Sequence, residues 1–171
     1  MPLLTAETST LLVVDLQERL MPAIAEADTV LGNAGRLVRA AVRLEVPVTA
    51  TEQDPTKLGP TVAPVADLLT APAVTKSTFA APLDLPGARV VVCGCEAHVC
   101  VLQTVLALRA AGHDVAVVAD AAGSRAVANR DAALARMRDH GVDVVTTEMV
   151  VFEWLGSSRN PAFREVQGLI K

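Results

Sequence analysis

Short apolar runs alternate with longer segments of helical spacing along the whole chain. The run Leu11–Val14 in "TLLVVDLQ" reads as a buried strand with Asp15 at its exit. Over residues 26–44, Val30, Leu31, Leu37, Val38, Ala41 and Val42 recur at roughly helical spacing, which predicts a helix. "VPVTATEQDP" reads as a second strand running into a loop, and residues 51–60 are the least regular part of the chain. "TVAPVADLL" fits a short helix with Pro60 and Thr61 near its start. "AVTKSTF" is a weaker third strand and "ARVVVCG" a strong fourth. "AHVCVLQTVLALRAAG" is an Ala/Leu-rich helix stopped by Gly112. A fifth strand, "HDVAVVADA", a helix, "NRDAALARMRDHG", stopped by Gly141, and a sixth strand, "VDVVTTE", complete the pattern. With no internal repeat, low-complexity segment or linker, residues 1–171 read as one domain.

Strands apolar on both faces and separated by helices imply a mostly parallel sheet covered on both sides, a three-layer α/β/α arrangement. In open sheets of this kind ligands bind beyond the carboxyl ends of the strands, where strand order reverses. The positions to inspect are therefore Asp15, Thr51 to Gln53, Lys76, the Gly94–Cys100 turn, Asp120 and Thr147–Glu148.

Composition narrows the function. Half the residues are hydrophobic but only three Phe and one Trp are aromatic, which suits an aliphatic core and not base stacking. A net charge of −4 offers no basic stripe for nucleic acid, so nucleic-acid binding is not expected. "MPLLTAETST" does not read as a signal peptide, and no apolar segment approaches the roughly 20 residues that cross a bilayer. Three cysteines, all within residues 93–100, make a poor disulfide framework; reduced thiols and a cytoplasmic location are expected.

The stretch "VVVCGCEAHVC" could be a metal clip, a redox pair or a presented thiol. Zinc needs about four ligands, and no second Cys/His cluster completes a set around Cys93, Cys95 and His98. A redox pair prefers Cys-x-x-Cys opening a helix, a spacing that is absent. Cys100 falls in the first turn of the helix after strand four, where free N–H groups and the helix dipole favour a thiolate. Alone it would read as packing, the reading that suits Cys93 and Cys95. At neighbouring strand exits, however, stand an acid, Asp15, which costs free energy in an apolar setting unless partnered, and a lysine, Lys76. An acid, a lysine and a thiol on one rim suggest an activated nucleophile.

"LLVVDLQ", "TKSTFAA" and "GCEAHVCVLQTVLAL" resemble, in order and spacing, the three signature segments of the isochorismatase-like cysteine hydrolases. "TEQDPTKLGPTV", "DAAGSR" and "FREVQGLIK" look like the isochorismatase domain-containing branch of that superfamily. The resemblance covers nearly the whole chain. It implies a six-stranded Rossmann-like sheet ordered 3-2-1-4-5-6 and a catalytic triad of Asp15, Lys76 and Cys100. It also implies a cis peptide before the nucleophile, here between Glu96 and Ala97, with the Ala97 and Cys100 amides as oxyanion donors. Metal-binding members carry an Asp-x-His motif after the second strand; "TEQDPTKLG" has no histidine, so neither a metal nor any other cofactor is expected. A cysteine at the nucleophile position favours amide-type hydrolysis of a small molecule. Gln17, Gln53, Phe79 and Glu96 are the expected substrate contacts, and His98 is placed on another helix face from Cys100. A homo-oligomer, dimer or tetramer, is expected. A non-catalytic scaffold, or a thiol sensor in which Cys95 resolves an oxidised Cys100, stands as the alternative.

Overall fold

The computed structural model describes residues 3–81 and 83–171; residues 1, 2 and 82, and with them the start of the stretch read for a leader, lie outside it. In chain order the elements are β1 (Ser9–Val14), α1 (Ala27–Arg43), β2 (Val48–Gln53), α2 (Pro55–Leu58), α3 (Ala63–Ala66), β3 (Val74–Lys76) and β4 (Arg89–Cys95). A π turn over Ala97–Val101 then leads into α4 (Leu102–Ala110), followed by β5 (Asp114–Gly123), α5 (Val127–Asp139), β6 (Asp143–Val145), α6 (Thr147–Leu155) and α7 (Phe163–Gly168).

The strands form one sheet ordered β3-β2-β1-β4-β5-β6, and every pair is parallel. Strand alternation sorts the core into two layers. Leu11, Val13, Val91, Cys93 and Cys95 pack with Leu37 and Val38 of α1, Val151 and Trp154 of α6, and Val166 of α7. Leu12, Val14, Val90 and Val92 pack on the opposite face with Val105 and Leu108 of α4 and Ala133 and Met137 of α5. This double burial explains why β1 and β4 read as unbroken apolar runs. The fold expected from the pattern is the fold observed. No described helix is long and apolar enough to cross a membrane.

The differences lie at element ends. β5 runs two residues beyond the expected stretch, to Gly123, so Asp120 sits inside the strand and not at its exit. The sixth strand stops at Val145 because Thr146 accepts a hydrogen bond from the Met149 N–H and starts α6, a helix the pattern did not disclose. "MVVFEWL" is apolar almost all round, which suits a strand as well as a buried helix. Only one helical turn, α3, forms in "TVAPVADLL".

Strand order puts the exits of β1 and β4 side by side, and Val14 pairs with Gly94. Gly94 has φ +124°, and a Cβ there would lie 2.0 Å from the Val14 carbonyl oxygen. Only glycine allows this approach, which brings the turn after β4 against Asp15.

Candidate active site

Three strand exits deliver side chains to one buried point. Asp15 follows β1 in a left-handed conformation, φ 50°, which aspartate tolerates better than most residues. Its carboxylate is fully buried, with Oδ1 accepting from Thr51 Oγ1 at 2.7 Å and Oδ2 from Lys76 Nζ at 2.7 Å. Lys76, the last residue of β3, also donates to Gln53 Oε1 at 2.8 Å and to the carbonyls of Phe79 at 3.2 Å and Thr78 at 3.3 Å. A buried ammonium needs this many acceptors, since its desolvation is offset only by close partners.

Cys100, 7% exposed, places its thiol within hydrogen-bonding reach of both Asp15 and Lys76. Burial pushes this thiol up to about 12, the Asp15 charge adds to the rise, and Lys76 opposes it. The expected lowering by a helix start is therefore outweighed. The chain leaves β4 into a π turn, and Cys100 is the fourth of its five residues, not part of a regular first α-helical turn. The protein at rest holds an ion pair beside a neutral thiol.

The cis peptide lies between Cys95 and Glu96, one bond earlier than expected. β4 ends at Cys95, and Glu96 already belongs to the turn: its carbonyl accepts from the Val99 and Val101 N–H groups. Ala97, fully buried, opens the π turn, so its N–H has no helical partner.

The four expected substrate contacts take different positions. Gln17 is fully buried with its amide spent inside the protein: Nε2 donates to the Gln53 and Gly59 carbonyls, and Oε1 accepts from the Gln53 N–H. It pins the loop after β2. Gln53 uses both amide ends, Oε1 toward Lys76 and Nε2 toward the Ser77 carbonyl. Glu96 is held by the Arg125 backbone N–H at 3.0 Å and by the Arg125 guanidinium Nε at 3.1 Å. Only Phe79 turns out to solvent, at 53% exposure.

His98 points away from the thiol: Nδ1 lies 3.0 Å from Ser124 Oγ, so it ties the π turn to the end of β5. Asp120 accepts from the N–H and hydroxyl of Thr147 and so fixes the start of α6. Cys93 and Cys95 are buried in the α1-side layer, whereas Cys100 belongs to the α4-side layer, an arrangement that does not suit a Cys95–Cys100 disulfide. Burial raises both buried thiols, Cys93 to about 12. Among the described residues no cluster of three or more His, Cys, Asp or Glu side chains is placed to hold a metal.

Sequence reasoning singled out Thr51 only as a strand-exit position without a role, and it missed Ser124 and Arg125. Thr51 stood at a strand exit but carries no charge to mark it, and the partners of the other two become visible only once β4 and β5 lie side by side.

Comparison with known proteins agrees with the fold. Residues 9–149 match the family model described as the isochorismatase domain. The chain is 39% identical to isochorismatase domain-containing protein 2 of Xenopus laevis, covering 95% of this chain and 83% of that protein. It is 38% identical to isochorismatase domain-containing protein 2A of Mus musculus, covering 96% and 84%. A solved structure described as the MAR1 ribonuclease of Caenorhabditis elegans superimposes with a TM-score of 0.95 at 34% identity, covering 99% of this chain and 92% of that one.

Proposed function

The chain belongs to the isochorismatase family, and from that premise we propose that it is a cysteine hydrolase of a small amide-like substrate, with Cys100 as nucleophile. The observation that carries this reading is the contact of one thiol with both members of a buried Asp15–Lys76 ion pair. A thiol packed for bulk alone would not need two buried charges beside it, and those charges are costly to bury for any other purpose.

The proposed cycle uses only this chain's residues and water. Asp15 takes the Sγ proton as Cys100 attacks the carbonyl carbon, and Lys76 steadies the negative charge as it passes from the carboxylate to the sulfur. The carbonyl oxygen, now an oxyanion, is received by the Ala97 and Cys100 N–H groups. The C–N bond breaks, the leaving nitrogen takes the proton from Asp15, and a thioester remains on Cys100. Water gives a proton to Asp15 as it attacks the thioester; the C–S bond breaks, and Asp15 returns the proton to the sulfur. A neutral resting thiol fits this cycle, because the proton leaves only as the bond to carbon forms.

Phe79 serves as an apolar wall at the mouth. Glu96, held by Arg125, shapes the turn that carries the amides. The acidic net charge and the slight exposure of Cys100 support a small-molecule substrate and not RNA. Exposed Phe79 and Phe152 support a homo-oligomer, and three free thiols support a reducing, cytoplasmic setting.

The test is release of ammonia or amine from a panel of small carboxamides and ureas, run beside a single-stranded RNA. The expected result is turnover of at least one amide, lost in Cys100→Ser and Asp15→Asn, with the RNA intact. RNA cleavage that depends on Asp15 and Cys100, with every amide untouched, would overturn the proposal.

A further inference from the structure

The Asp15–Lys76 pair does not stand alone. Both of its members are held by β2, from residues two apart on one face of the strand. Thr51 Oγ1, buried, donates to Asp15 Oδ1 at 2.7 Å. Gln53 Oε1 accepts from Lys76 Nζ at 2.8 Å, while its own Nε2 is fixed on the Ser77 carbonyl at 2.8 Å. Glu52, between them, turns to the other side and accepts from the N–H and hydroxyl of Thr61.

We propose that Thr51 and Gln53 are positioning residues, a pair that sets both the geometry and the charge balance of the acid and the lysine beside Cys100. The inference rests on the triad reading above and goes beyond it by assigning β2 a part in the site.

The chemistry of the two contacts is opposite. A carboxylate has two acceptor oxygens and free rotation about its last bond. With Lys76 on Oδ2 alone it could swing; the Thr51 hydroxyl on Oδ1 fixes the plane in which it meets the thiol. The same bond draws negative charge off the carboxylate and so moderates its grip on the thiol proton. Gln53 acts on the cation: it supplies a neutral acceptor, directs one ammonium hydrogen away from the thiol, and shares with the Phe79 and Thr78 carbonyls positive charge that would otherwise bear more strongly on Asp15 and Cys100. The register of β2 against β1 on one side and β3 on the other places each contact, since Val14 pairs with Thr51 and Gln53 with Lys76. The other charged groups of this rim are engaged elsewhere, Glu96 with Arg125 and His98 with Ser124, so Asp15 and Lys76 are the charges that face the sulfur.

Opposite chemistry predicts opposite effects. The measurement is the rate of Cys100 alkylation by iodoacetamide, resolved by peptide mass spectrometry, across a pH series centred near the thiol's ordinary value of 9.0. Thr51→Val leaves the carboxylate a stronger acceptor for the thiol proton and slows alkylation; Thr51→Ser restores the hydroxyl and the rate. Gln53→Met concentrates the lysine's charge on the sulfur and speeds alkylation. Each change is about threefold to tenfold, the scale of one hydrogen bond to a charged group. Loosened packing alone would move both variants the same way. Asp15→Asn serves as the reference for the underlying reading. Iodoacetamide reacts with thiolate already formed in the alkaline series and needs no base, so removing the charge that holds the proton on speeds alkylation, and a slower rate contradicts that reading. If Asp15→Asn leaves the rate unchanged, the triad reading fails. If Asp15→Asn acts while Thr51→Val and Gln53→Met shift the profile together or not at all, the positioning role is overturned and the triad stands. Should Thr51→Val fail to fold, the sign of the Gln53→Met shift decides alone: faster supports the proposal, slower or unchanged refutes it.

Discussion

At the residue scale the site depends on compensating charges that the fold buries. Removing one of them should cost more than the pair contributes. Lys76→Met leaves Asp15 buried without its cation and should lower unfolding free energy by roughly 3–5 kcal/mol in urea titration. The double variant Asp15→Asn/Lys76→Met should recover part of that loss, because neither side chain then carries an unpaired charge. A loss under about 1 kcal/mol for Lys76→Met would mean that the aspartate finds another partner or is neutral. Asp15, Lys76 and Cys100 were legible in the sequence as residues at or just after strand exits on one rim, and the family resemblance grouped them; each type alone has ordinary uses, a loop cap for the acid and a solvated surface position for the lysine. Thr51 was given no role: a threonine at a strand end is ordinary, and its value here comes from one hydrogen bond to a residue far away in sequence. Gln17 and Gln53 look alike as exposed-loop amides on paper. Only the folded loop shows that both are already committed to the protein's own groups.

At the element scale the decisive contact is β1 against β4. Their apolar runs announced two buried strands, and the order of the sheet followed from the family resemblance. The details of the exit were another matter: a π turn, and a cis bond one position earlier than expected, depend on how Gly94 lets β4 settle on the Val14 backbone. Gly94→Ala tests that contact. The added Cβ has backbone on one side at 2.0 Å and a φ of +124° to maintain, so nothing flexible can give way. A loss of roughly 3 kcal/mol or more is expected in chemical denaturation, together with altered labelling of Cys100. A variant as stable as the parent would show that the strands can separate without harm. The α6 segment illustrates a different blind spot. A buried helix that is apolar on every side has no periodicity to report, and its start is fixed by Thr146 and by Asp120 from another strand.

At the scale of the whole molecule the buried thiols link stability to pH. In the folded protein Cys93 and Cys100 are pushed up to about 12 from an ordinary value of 9.0. A folded value above the unfolded one means that the native state keeps its protons longer. The stabilisation is thus complete below about pH 9 and is lost as pH climbs through the interval up to about 12. Thermal unfolding midpoints should fall across that window, and Cys93→Ala should flatten the fall while lowering the plateau. A midpoint that is level from pH 9 to 12 would contradict the burial of these thiols. The sheet, its two layers and the rim that carries chemistry were all implied by alternating apolar runs, because double burial leaves so few arrangements. Side chains at the rim find their neighbours on distant strands, and those contacts have no local signature.

Whether Cys100 carries an acyl group through a hydrolytic cycle assisted by Asp15 is decided by p-nitrophenyl acetate labelling and acid-quenched peptide mass spectrometry. An acetyl group is expected on the Cys100 peptide and none on Cys93 or Cys95. Decay of that adduct by hydrolysis, slowed in Asp15→Asn, is also expected, with no adduct in Cys100→Ser. An acetyl group found elsewhere, or ester hydrolysis by Cys100→Ser at the parent rate, would contradict that role for Cys100.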